Sequence, residues 1–237
     1  ALAVGAAVTE RIRERGDKTE PIVVARDGRE TGRTLANAVE AGITSRGLSV
    51  RRAGQLPTPT LAFASRGRHG IMLTASHNPP ADNGLKLFVD GREYGREAER
   101  DIERRIEEGT SQTAWDTWGK SERIDPLPAY REDVTSYAER FGEPLDGLQI
   151  AVDCGNGMAS RATPQVLSAL GGDVQALNAN VDGHFPARAS KPTAETLGDL
   201  RQFVAETPAA FGIGHDGDVD RIVLIDATGD VIHEDTV

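Results

Sequence analysis

Apolar positions recur at two spacings along the chain. Val4, Val8 and Ile12 fall four residues apart, one face of a helix, and Gly16 stops the run, which predicts a helix over 2–15. Leu35, Val39 and Ile43 repeat that spacing, and Leu61, Ala62 and Ser65 mark a third helix after the rigid turn Pro57-Thr58-Pro59. Short apolar runs at 21–25, 48–53, 71–73 and 85–89 read as strands, the last with Asp90-Gly91 as a hairpin turn. Residues 97–109 form a charged helix. Residues 110–126 show no period, and Tyr130, Val134, Tyr137 and Phe141 mark the next helix face.

Gly142-Glu143-Pro144 then breaks the chain, and the order repeats. Strand 148–152, a helix ending at Leu170, strand 174–177, helix 197–206 and strand 210–214 follow in turn, and 222–232 reads as a β-hairpin around Thr228-Gly229-Asp230. Strands alternating with helices predict an α/β fold of two successive three-layer domains with mostly parallel mixed sheets, over 1–143 and 144–237.

Composition narrows the partners. The formal net charge of −10 argues against nucleic acid and against an anionic membrane surface. Only four of the 27 basic residues are lysine, namely Lys18, Lys86, Lys120 and Lys191, so positive charge at any site rests mainly on arginine. Cys154 is the single cysteine, which excludes an internal disulfide and fits a reducing, cytoplasmic setting. No apolar run reaches the ~18 residues that span a bilayer.

Two stretches carry chemistry. Gly70 to Pro79 starts as a buried strand and stops at Thr74-Ala75-Ser76-His77-Asn78, because prolines donate no ladder hydrogen bond. Ser76 thereby falls at the carboxyl end of a strand, where open α/β sheets bind ligands. The second stretch is Asp216-Gly217-Asp218-Val219-Asp220-Arg221. Its three aspartates alternate along a loop and repel one another unless a hard cation joins them, and Mg²⁺ is the usual ion beside phosphate. An EF-hand is excluded, because its sixth and twelfth positions would be Arg221 and Ala227. His215 carries nitrogen and is not expected as a fourth ligand. Beside three carboxylates and a cation, Arg221 suits a phosphate.

Taken together, these stretches resemble the α-D-phosphohexomutase superfamily of phosphomannomutases, phosphoglucomutases and phosphoglucosamine mutases. The resemblance extends to Asn83-Gly84-x-Lys86, Arg26-Asp27-x-Arg29, Pro57-Thr58-Pro59, Asp153-Cys154-Gly155-Asn156-Gly157 and Asp182-Gly183-x-Phe185-Pro186. It implies an enzyme that interconverts hexose 1-phosphate and hexose 6-phosphate through a hexose 1,6-bisphosphate. The resemblance implies that Ser76 carries the phosphate and, with Asp216, Asp218 and Asp220, holds Mg²⁺. On the same resemblance Arg221 is expected to neutralise charge, Lys86 or His77 to serve as general base, and Arg26, Asn78 and Asn83 to bind phosphate or fix the loop. Lys86 is favoured as base if its pKa falls. The family's Glu-x-Ser-Gly-His and Arg-x-Ser-Gly-Thr loops occur nowhere in these 237 residues, so the reading is of the family's domains I and II without III and IV. Such a piece is expected to turn over substrate weakly or not at all alone, and to self-associate through uncovered apolar surface. Three alternatives stand beside the phosphomannomutase/phosphoglucomutase reading. They are a phosphoglucosamine mutase, a haloacid-dehalogenase-like phosphatase with Asp216 as nucleophile, and a non-catalytic binding module.

Overall fold

The computed structural model describes residues 1–16, 20–109, 111–142 and 145–232. Two sheets organise it. The first contains β1 (Ile22–Arg26), β2 (Val50–Gln55), β3 (His69–Leu73), β4 (Leu85–Val89), β5 (Arg92–Glu93) and β6 (Ser121–Arg123), in the order β5-β4-β3-β1-β2-β6. β1, β2, β3 and β6 are parallel, while β4 and β5 run antiparallel at one edge. The second contains β7 (Gln149–Asp153), β8 (Asp173–Leu177), β9 (Phe211–His215), β10 (Ile222–Asp226) and β11 (Val231–Ile232), in the order β11-β10-β9-β7-β8. There β8, β7 and β9 are parallel and the β10–β11 hairpin is antiparallel.

The apolar alternation of β1 explains its central place. Ile22 and Val24 face a core with Val8, Ile12, Val39 and Ile43 from helices α1 (Leu2–Glu14) and α2 (Gly32–Thr44). Ile102 of α4 (Arg96–Glu108) completes that layer. Val23 and Ala25 face the opposite core with Leu61 of α3 (Thr58–Ala64) and Met72. Burying one such side chain is worth about 1.5–3 kcal/mol, so a period-two strand flanked by two helical layers holds its register. In the second sheet, one core gathers Ala151 and Ile225 with Leu200 and Val204 of α7 (Gly198–Glu206). The other gathers Ile150 and Val152 with Ala159, and Leu167 of α6 (Thr163–Ala169) packs against it. The fold class read from the sequence is the fold observed.

Three sequence expectations need correction. The unpatterned stretch 110–126 contains the edge strand β6, held by Val50 N–H donating to the Lys120 carbonyl at 2.8 Å and by Arg51 Nε 2.6 Å from Glu122. Pro57-Thr58-Pro59 is no separate turn, for Thr58 and Pro59 open α3, with proline where its missing N–H costs nothing. The helix expected through Tyr130, Val134, Tyr137 and Phe141 ends at Ala138, so Phe141 lies beyond it. Helix α5 (Leu127–Ala138) stacks Tyr130 edge-on against Phe63, but Tyr137 and Phe141 are 59% and 71% exposed and stack on each other. The expected domain boundary at 143/144 lies outside the described residues.

Candidate active site at the facing sheet edges

Ser76 and the aspartate loop come from separate sheets and meet. Ser76 Oγ donates to Asp216 Oδ2 at 2.9 Å. β3 ends at Leu73, and the chain turns at Thr74, whose hydroxyl accepts from Ser76 N–H at 2.9 Å and donates to Asp27 Oδ2 at 2.8 Å. Ser76 sits at φ 48°, a left-handed conformation that costs an L-residue roughly 1–2 kcal/mol. Arg29, fully buried, supplies the restraint. It pairs with Asp27 at 3.0 Å and donates to the carbonyls of Ser76 and Asn78 at 2.9 Å, Asp82 at 3.0 Å, and Pro79. One guanidinium thus ties four carbonyls of the loop. Gly84 lets the loop fold back, because a Cβ there would lie 2.8 Å from the Thr74 carbonyl oxygen.

The aspartate loop leaves β9 immediately after His215. Val219 at φ 69° is strained for a β-branched residue, and its N–H donates to Asp216 Oδ1 at 3.0 Å, winding the loop inward. Carboxylate oxygens of Asp216, Asp218 and Asp220 lie within 4.8 Å of one another. Lys86, on the second residue of β4, donates to Asp218 Oδ2 at 2.9 Å and to Asp220. Thr58 Oγ1 donates to the same Asp218 oxygen at 2.6 Å, and Thr58 N–H reaches the Asp218 carbonyl at 2.9 Å. Asp218 Oδ1 is buried without a hydrogen-bond partner among the described residues. A buried orphan acceptor in an all-oxygen carboxylate cluster is the donor set that a hard dication completes, so the residues fit Mg²⁺.

The electrostatics agree with the geometry. Burial, then Asp218 and Asp220, push the Asp216 carboxyl up to about 7. Burial also opposes charge on Asp220, but the Lys86 hydrogen bond and charge outweigh it and hold that carboxyl low. For Lys86 the direction is opposite to the one that would favour it as a base. Burial works against its charge, yet Asp218 and Asp220 raise its pKa. Arg221, the neighbour expected to lower it, lies instead on His77, with Nη1 2.9 Å from Nδ1. That same nitrogen is 3.4 Å from Ser76 Oγ. Burial, with Arg221 second, lowers the His77 pKa.

Ser76, His77, Lys86, Asp216, Asp218, Asp220 and Arg221 therefore form one cluster. The Asn78 carbonyl and the Asn83 side chain brace the loop, the latter donating to Thr31 Oγ1 at 2.7 Å. Arg26 is not brought to the cluster. It ends β1 on the α2 face, donating to the Asp27 carbonyl at 3.2 Å. His215 is engaged elsewhere, Nε2 3.1 Å from Thr163 Oγ1 and Nδ1 3.3 Å from the Arg221 carbonyl, in keeping with an oxygen-only cation site. Sequence reasoning gave no site role to Arg29, Asp27, Thr58 or Ser190, whose hydroxyl donates to the Ser76 carbonyl at 3.1 Å. Three of these stand in motifs it had matched, so the signal was present without the role.

A serine hydroxyl and a carboxylate triad facing each other across two α/β domains place this chain in the phosphoglucomutase/phosphomannomutase family. Residues 1–113 match that family's α/β/α domain I and residues 128–229 its α/β/α domain II, so the chain belongs to it. Among curated relatives, the phosphopentomutase of Thermococcus kodakarensis is 38% identical over 224 residues, covering 93% of this chain and 49% of that protein. The phosphoglucosamine mutase of Ruegeria sp. is 38% identical over 240 residues, covering 99% and 53%. A crystal structure of a phosphoglucomutase/phosphomannomutase family protein from Burkholderia thailandensis superposes with a TM-score of 0.86 at 30% identity, covering 99% of this chain and 52% of that one. The chain spans about half the length of the curated relatives it matches. No helix among the described residues is long and apolar enough to cross a membrane.

Proposed function

We propose that this chain is the phosphoserine- and cation-bearing half of a phosphosugar mutase, an isomerase that moves a phosphoryl group between two hydroxyls of one sugar by way of Ser76. The observation that carries the reading is the 2.9 Å contact from Ser76 Oγ to Asp216, made between two sheets by residues 140 positions apart. Asp216, Asp218 and Asp220 would hold Mg²⁺, beside the phosphate that Ser76 would carry. The bound cation supplies positive charge where the transferring phosphoryl group spreads its negative charge. Arg221, braced on His77, faces the same phosphate from the solvent side. Lys86 or His77 takes the proton from the sugar hydroxyl. His77 lies nearer the serine and has the lowered pKa, while Lys86 becomes a base only when its two carboxylates turn to another cation. Asn78 and Asn83 hold the loop in place.

The substrate we propose is a hexose phosphate converted between its 1- and 6-phosphates, with the hexose 1,6-bisphosphate as intermediate and activator. The relatives named above act, by their names, on phosphoglucosamine and on a phosphopentose, so an amino sugar is the second reading. A reducing, cytoplasmic setting suits the free, buried thiol of Cys154. The test incubates the chain with a hexose 1,6-bisphosphate and Mg²⁺, then locates the phosphoryl group by peptide mass spectrometry. It is expected on Ser76 and absent from the Ser76→Ala chain. A phosphoryl group found on Asp216 would make the chain a phosphatase of the aspartyl type instead.

A further inference from the structure

Arg26, expected at the reaction centre, lines a separate cavity of about 510 Å³ on the α2 face of the first sheet. Arg52 of β2 and Arg123 of β6 line it from the neighbouring strands, and Arg33, in the first turn of α2, lines it from the helix. Asn37 and Glu40 extend the lining one and two turns further along. Four guanidiniums thus surround one carboxylate, and Glu40 already lies 3.7 Å from Arg52 Nε. The guanidiniums of Arg33 and Arg123 have no ion-pair or hydrogen-bond partner among the described residues. Arg26 uses one N–H on the Asp27 carbonyl, and burial, with Arg33 adding to it, lowers its pKa against the opposing pull of Asp27 and Glu30.

Such a cluster is unusual in a chain whose formal net charge is −10. Like charges gathered in a concavity are unfavourable until a counter-ion joins them, and planar guanidinium forks match the oxygens of a phosphate. We propose that this cavity binds a phosphate-class dianion, either inorganic phosphate or the phosphate group of a small metabolite, gripped by Arg26, Arg33, Arg52 and Arg123. No residue lining it belongs to the Ser76 or Asp216 loop, so it is a second site, and it does not depend on the mutase reading. Arg26 ends β1 beside Leu73, the last residue of β3, and donates to the Asp27 carbonyl, next to the side chain that holds Thr74 and Arg29.

The experiment is a residue-resolved amide NMR titration with inorganic phosphate, with chloride at matched ionic strength as reference. Saturable shifts are expected at Arg33, Asn37 and Arg123 with phosphate and not with chloride. Arg33→Gln and Arg123→Gln should each weaken the midpoint about tenfold or more, the scale of a lost charge-assisted contact. Both side chains are exposed, so melting temperatures in chloride should be unchanged. Ser76→Ala should leave the midpoint where it was. A second arm uses glucose 6-phosphate. A tighter midpoint at these amides assigns the site to an esterified ligand, and a weaker one assigns it to free phosphate. Shifts that follow ionic strength alike in chloride and phosphate, or a midpoint that ignores both glutamine variants, overturn the proposal.

Discussion

A single carboxylate, Asp218, is held through one of its oxygens. One oxygen takes bonds from Thr58 and Lys86, and the other is buried and unmatched. Partners that orient a metal ligand typically contribute 10–100-fold in affinity, so Thr58→Val should weaken Mg²⁺ binding by about that factor in calorimetric titration. If Thr58 only packs, the melting temperature will fall while the affinity stays put. Lys86 separates two further effects. It competes with the cation for Asp218 and Asp220, and it is a candidate base. Lys86→Met should therefore leave cation affinity undiminished while slowing phosphoryl transfer by about 10²–10⁴-fold, read as the rate of phosphoserine formation from a hexose bisphosphate. A transfer rate matching the wild-type chain would leave the proton to His77.

The serine loop behaves as an element because Arg29 and Asp27 are buried together beneath it. Breaking a buried pair strands a charge, so Arg29→Met should destabilise the chain by about 3–5 kcal/mol in urea unfolding. Replacing Asp27 and Arg29 together by apolar residues should cost less than the two single changes added. Additive losses would mean that the two do not act as a unit. Much of this element was legible beforehand. An apolar run ended by Pro79-Pro80 places Ser76 at a strand's carboxyl end on local grounds alone, and the alternation of three aspartates along a loop signals that their carboxylates gather at one point. What was not legible depends on distance along the chain or on an absent pattern. Thr58 meets Asp218 across 160 positions, and nothing near Thr58 signals that partner. Ser121-Glu122-Arg123 contains no apolar residue, so its strand exists only because β2 offers an edge. Tyr137 and Phe141 continue a helix face by spacing, yet both are exposed and Phe141 falls past the end of α5.

At the scale of the molecule, the candidate site exists only where loops of the two sheets touch. Arg161 Nη1 donates to the Gln55 carbonyl at 2.5 Å, and Arg131 binds the Arg161 carbonyl. Phe185 lies under the Arg29 guanidinium, 5.4 Å from its ring centre. Gly183 is the tightest point, since a Cβ there would sit 2.5 Å from the Gly28 carbonyl oxygen, backbone against backbone. Gly183→Ala should wedge the halves apart without unfolding either. The expected signature is unchanged far-UV circular dichroism, a larger radius of gyration in X-ray scattering, and loss of Ser76 phosphorylation. Phosphorylation at the wild-type rate would mean that the contact gives way without cost to the site.

The left-handed backbone at Ser76 has a bearing on how the charged loop can be imitated. Asp is among the few residues that enter that conformation readily, so Ser76→Asp should fold without added torsional cost. It would also set a fourth carboxylate against the triad, with no hydroxyl left to donate to Asp216. Such a protein should depend on divalent ions for its thermal stability, gaining more from Mg²⁺ than the unaltered chain does. It would serve as a permanently charged stand-in for the phosphorylated form, suited to capturing that form in a crystal.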